Sequence, residues 1–194
     1  SSEEEILVVN NFTISTVDDL KFRVTNFPDE GFCKIESGSQ KEIIIEFVAV
    51  GIFDELPLMT FQVNNETVKV NIPIIFPRWI KEKEMDKNTF LSRWNAINDT
   101  SNSAYVSLVI PDGDVMPTVK LLAKKTFGLE PLNIDLPENI IVMCGVFKCL
   151  NNSIGFLLRF VFNERENDLS LIIKTTSPLA IDILKKRAYN AFIL

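Results

Sequence analysis

A chain of 194 residues, 46% hydrophobic and 24% charged, is long enough to bury a core without disulfide staples and suits one or two domains. Its formal net charge of -6 argues against nucleic acid as the partner, because phosphate binding wants clustered Lys and Arg. It has no histidine, which removes Ser-His-Asp and Cys-His catalysis and the commonest metal ligand.

From Ile6 to about Phe76 the pattern is strand after strand. "EILVVNNFTIS" is β-branched and bounded by polar residues. "DLKFRVTNF" sets Leu20, Phe22 and Val24 against Lys21, Arg23 and Thr25, which is strict period two. "KEIIIEFVAV" is a near-continuous apolar strand. "LMTFQV" and "TVKVNIPIIF" follow, joined by "NNE", a hairpin turn signal. Short strands with polar turns and no helical run predict an immunoglobulin-like β-sandwich. The strand count is low for a complete one.

"PRWIKEKEMD" marks a boundary, where Pro77 ends the last strand and charges accumulate. The expected division is 1-77 and 78-194. "DKNTFLSRWNAI" then reads as a helix capped by Asp86 or Asn88, with Phe90, Trp94 and Ile97 on one face. "SAYVSLVI" is a strand closed by the turn "PDGD". "VMPTVKLLAKKTFG" is a helix, with Pro117 in its first turn and Gly128 as its stop. "NIIVMCGVFKC", "IGFLLRFVF" and "DLSLIIKTT" are three strands joined by "LNNS" and "NEREN". "PLAIDILKKRAYNAFIL" is a terminal helix with Leu179, Ile183 and Leu184 expected inward. The order indicates an α+β domain, an antiparallel sheet with helices against it.

Several features read as structural. Lys120, Lys124 and Lys125, and Lys185, Lys186 and Arg187, read as solvated helix faces. Cys33, Cys144 and Cys149 are odd in number and form no CxxC, so they read as thiols in a reducing setting. The sequons at Asn11, Asn65, Asn98 and Asn151 would matter only in a secreted chain. No apolar run approaches the ~18 residues needed to span a bilayer. Asp112, Asp114, Glu164 and Glu166 are the raw material for an enzyme, but they are scattered in loop contexts, and "PDGDV" reads as a turn rather than a cation loop.

Two residue groups carry a choice. Phe90 and Trp94 either glue a helix to the sheet or wall a slot for an aromatic side chain. Arg159, in "GFLLRFVF", needs an acceptor. It pairs with Glu164, Glu166 or Asp168 near the hairpin, or it is left for a carboxylate ligand.

The ordered series of "IPIIFPRWIKEKEMDKNTFLSRW", "LPENIIVMCGVFKCLNNSIGFLLRF" and "LSLIIKTT" resembles the appendage, or ear, domain of clathrin adaptor large subunits, most of all that of alpha-adaptin. The resemblance covers Pro77 to Leu194 well and the sandwich loosely. It implies no enzyme and no cofactor. It implies a recruitment module that binds Asp-Pro-Phe, Asp-Pro-Trp and Phe-x-Asp-x-Phe motifs in disordered tails of endocytic accessory proteins. It implies a cytoplasmic protein, peripheral on clathrin-coated pits and vesicles and joined to its adaptor complex by an N-terminal hinge.

By the same resemblance the peptide site centres on Trp94, with Phe90 and Leu91 one turn earlier and Arg159 on a strand. The sequence departs from the family's pattern at three positions of this site. Leu91 replaces a second aromatic, Ser170 a second basic residue and Val161 an acidic one. Loss of one Asp-pairing cation would cost about 1–3 kcal/mol of binding. The alternatives are an appendage of another coat, such as the gamma subunit of coatomer, or a structural module whose platform site is lost, with Trp94 buried.

Overall fold

The computed structural model describes residues 6–28, 31–74, 76–111 and 113–192, without the Arg78 side chain. Asp112 of the "PDGD" turn lies outside the described residues. The chain divides into two compact units, Ser1–Ile75 and Phe76–Leu194.

The first unit is built of strands. β1 (Leu7–Ser15), β3 (Phe32–Ile35), β5 (Leu58–Val63) and β6 (Glu66–Asn71) form a four-stranded antiparallel sheet in the order β3-β1-β5-β6. β2 (Leu20–Thr25) and β4 (Ile44–Ala49) pair as a second sheet. The arrangement is sandwich-like. Asn64 and Asn65 turn β5 into β6 with φ of 47° and 71°, the left-handed pair that a two-residue hairpin needs. Asn11 has φ 51° where the β1–β5 register slips, which is a bulge. The last ladder stops at Asn71, two residues before Pro73, whose ring has no donor. Ile72, Pro73 and Ile74 of the expected strand are therefore outside the sheet. β3 is only four residues long at a sheet edge, too short to announce itself by periodicity.

The second unit is a five-stranded antiparallel sheet in the order β7-β9-β10-β11-β8. Its strands are β7 (Ile80–Glu82), β8 (Ser103–Leu108), β9 (Ile140–Lys148), β10 (Ser153–Asn163) and β11 (Asp168–Thr175). Its helices are α1 (Lys87–Ala96), α2 (Val115–Phe127) and α3 (Leu179–Phe192). β7 lies within the segment expected to be a charged boundary. Ile80 is buried while Lys81 and Glu82 are exposed, the composition of a short edge strand.

Alternation divides the sheet into two faces. On one, Met143, Phe147, Leu158, Phe160, Leu171 and Ile173 are fully buried. α2 and α3 sit there. The Phe160 ring is 6.4 Å from that of Phe127 and 5.9 Å from that of Phe192. Gly128 ends α2 at φ 67°. α3 corrects one expectation. Its buried stripe is Ala180, Ile181, Leu184, Ala188 and Phe192, while Leu179 is 78% exposed. Leu179 is the first helical residue and lies off that stripe. The exposed Lys120, Lys124 and Lys125 of α2 form the expected solvated face, and Lys124 pairs with Glu130.

Candidate functional site

The other sheet face carries α1. Asp86 caps this helix: its Oδ1 accepts from the Thr89 backbone N–H and its Oδ2 from the Thr89 hydroxyl, both at 2.8 Å. The Thr89 N–H is the main reason the Asp86 carboxyl is held below the usual carboxylate range. From that start, Phe90 and Trp94 fall one turn apart on the sheet side. Their rings stack at 5.6 Å and 25°. They bury against Val142 and Cys144 of β9 and Leu157 of β10. Leu132, Ile134 and Leu136, from the segment between α2 and β9, pack against the same cluster.

Trp94 is therefore no open floor, with 9% of its surface accessible. Lys174 of β11 explains part of this. Its Nζ lies over the indole, 5.0 Å from the ring centroid, and donates to the carbonyls of Trp94 and Ile97 at 2.7 Å each. The ammonium caps the end of the helix and covers the ring with one group.

Beyond α1 the same face continues across β10, β11 and β8. Arg159 faces Val142 on one side and Ile172 on the other, both in contact with the Trp94 cluster. It is half-buried, and among the described residues it has no ion pair or hydrogen bond. The acids expected to pair with it are not its partners. Asp168 accepts from Tyr105 at 3.3 Å and from Ser107 at 3.5 Å, and Glu166 accepts from Asn163. Val161 and Ser170 are cross-strand partners two residues further along. Ser170 is buried, with its hydroxyl 3.5 Å from the Val161 carbonyl. Tyr105, opposite Ile172, is 60% exposed.

The fold thus places Phe90, Trp94, Arg159, Val161 and Ser170 on one face. Leu91 is 41% exposed and lies off the buried stripe of α1. Sequence reasoning missed Lys174 and Tyr105. A signal for Lys174 existed in "LSLIIKTT", where a cation takes the same face as Ser170 and Ile172 and so needs acceptors. Tyr105 carried none, since a Tyr in a strand is ordinary.

A strand-built unit followed by a helix-covered antiparallel sheet is the architecture of an adaptor appendage, a protein-interaction module. Comparison with protein families matches residues 78–192 to the family described as Alpha adaptin AP2, C-terminal domain. The match spans more than half of the chain, and the chain belongs to that family. Comparison with curated proteins found no match. Among the described residues no helix is long and apolar enough to cross a membrane.

Proposed function

We propose that this chain recruits endocytic accessory proteins to clathrin-coated pits by binding short acidic-aromatic motifs on the α1 face of its second unit. The observation that carries the reading is Arg159, a half-buried guanidinium without a partner among the described residues, beside the aromatic cluster of α1. Holding such a group near apolar surface is costly unless a carboxylate comes to it. A motif Asp supplies that carboxylate as a charge-assisted pair. A motif Phe or Trp ring would then lie across Leu91 and Ile172, beside the buried Trp94 cluster. Val161 and Ser170 floor the far end, where Asp168 is already engaged by Tyr105 and Ser107. Each contact is weak, and repeated motifs on one tail raise avidity by about 10²–10⁴ through effective concentration.

The test is a calorimetric titration with Asp-Pro-Phe and Phe-x-Asp-x-Phe peptides on the wild type, Trp94→Ala and Arg159→Glu. Binding to the wild type that falls at least tenfold in both variants, with their folds intact by circular dichroism, supports the reading. Absence of binding to all three defeats it.

One observation favours a second reading, a structural module whose slot is closed. The indole is buried and Lys174 stands on it. That reading predicts no wild-type binding.

A further inference from the structure

A second opening lies on the other flank of α1. It has a volume of about 300 Å³ and lies between the helix end at Arg93, Ala96 and Ile97 and the β9–β10 hairpin at Val146 and Gly155. Arg159, Val161, Ser170 and Leu91 do not line it. Arg93 and Leu91 diverge to opposite sides of the buried Phe90–Trp94 stripe, so α1 separates this opening from the site proposed above. Its volume is at the lower end of the ~300–1,000 Å³ typical of ligand pockets, room for one large side chain.

The walls are apolar, with Met85, Ile97, Cys144 and Leu157 among them. Gly155 leaves the space open. A Cβ there would meet nothing closer than Thr176 Cγ2 at 3.6 Å, so the strand would accept a side chain that the chain does not provide. At the rim stand Lys83 and Arg93, both exposed and, among the described residues, without an ion pair. No carboxylate side chain is among the lining residues. The carbonyl end of α1 would by itself repel an anion, but Lys174 neutralises it. Both rim cations act on the buried Cys144 thiol at the pocket wall. They oppose the burial that pushes it up, while Glu82, which is outside the lining, acts with burial.

From the apolar walls, the open Gly155 and the paired cations, we infer that this pocket takes an aromatic side chain from an acidic segment of a partner protein. A neutral or basic segment would gain the apolar contact without the charge complementarity.

The test is a ¹⁵N–¹H NMR titration of the whole chain with acetyl-Glu-Glu-Phe-Glu-amide, using acetyl-Lys-Lys-Phe-Lys-amide as control. A single anchor predicts a Kd on the order of 1 mM. The expected result is saturable shifts of the Val146 and Gly155 amides with the acidic peptide only. Gly155→Leu, which fills the pocket, should abolish them. Arg93→Glu should weaken binding by roughly fivefold. Ala96→Glu, an exposed change at the mouth, should do the same and covers the case in which Gly155→Leu does not fold. Arg159→Glu should leave these shifts in place, which separates this pocket from the other site. No saturable shift at Val146 and Gly155, an equal response to the lysine peptide, or binding that survives both Gly155→Leu and Ala96→Glu would overturn the inference.

Discussion

Lys174 holds Trp94 from two directions, with its Nζ 5.0 Å from the indole centroid and 2.7 Å from the Trp94 carbonyl oxygen. One ammonium on β11 thereby ties down the last turn of α1 and covers the aromatic residue on which the proposed peptide site depends. Helix C-terminal carbonyls otherwise look to water or to a glycine cap. Here Ile97 ends the helix without a glycine.

Replacing Lys174 with Met removes both charge-assisted bonds and keeps most of the stem. Stability should fall by about 1–3 kcal/mol in urea unfolding. The indole should open at the same time. In a Trp79→Phe background Trp94 is the sole tryptophan, so acrylamide quenching of its fluorescence should rise. Unchanged quenching would mean that Phe90 and the segment around Ile134 bury the ring unaided.

Gly145 and Gly155 lie near each other on adjacent strands and should respond oppositely to the same change. A Cβ at Gly145 would come within 2.8 Å of Ile80, 2.9 Å of Leu129 and 3.0 Å of Phe156, in the core on the α2 and α3 side. Gly145→Val should cost about 1–3 kcal/mol by overpacking. Gly155→Val meets only an ordinary contact with Thr176 and gains strand propensity, so its stability should stay within about 0.5 kcal/mol of wild type or rise. Paired denaturation curves decide this. Equal losses would show that space on the Gly155 side is illusory.

The Asp86 cap carries a pH dependence. Its folded-state carboxyl titrates below the ordinary value of 3.8, chiefly because it accepts from Thr89. A depressed carboxyl contributes stability that is fully present above the unfolded value and is lost as pH falls through the folded one. Asp86→Ala should therefore lower the urea midpoint at pH 7, and its difference from wild type should shrink below about pH 4. A difference that stays constant down to pH 2.5 would assign the loss to helix propensity rather than to the carboxylate.

The periodic elements were legible in the sequence because their faces are buried. β10 was legible as a long, nearly continuous apolar run, covered on both faces, and α2 carries its own stop in Gly128. α1 was legible through Asp86 and the spacing of Phe90 and Trp94. β3 and β7, of four and three residues, were not, because edge strands that short have no period to detect. Leu179 misled because one turn of α3 does not fix the rotation of its stripe, which Ala180, Leu184 and Ala188 set. At the site, a sequence can say that Arg159 needs an acceptor. It cannot say that Asp168 is taken by Tyr105 and Ser107 of β8, which lie 63 and 61 residues earlier, or that Lys174 reaches across to α1.

That lack of a partner makes Arg159 a clean test of binding against stability. A guanidinium held by an internal pair would leave a buried acid stranded when removed, at a cost of about 3–5 kcal/mol. Arg159 has no such pair among the described residues, and its neighbours on the face are Val142, Leu157, Val161 and Ile172. Arg159→Leu should therefore keep or slightly raise the unfolding free energy. If a peptide carboxylate pairs with this residue, the same substitution should cut affinity for an Asp-Pro-Phe peptide by roughly ten- to a hundredfold. Arg159→Lys should recover only part of it, because an ammonium cannot reproduce the bidentate fork. Loss of stability in Arg159→Leu with unchanged peptide affinity would reverse the assignment and make Arg159 a structural residue of the sheet.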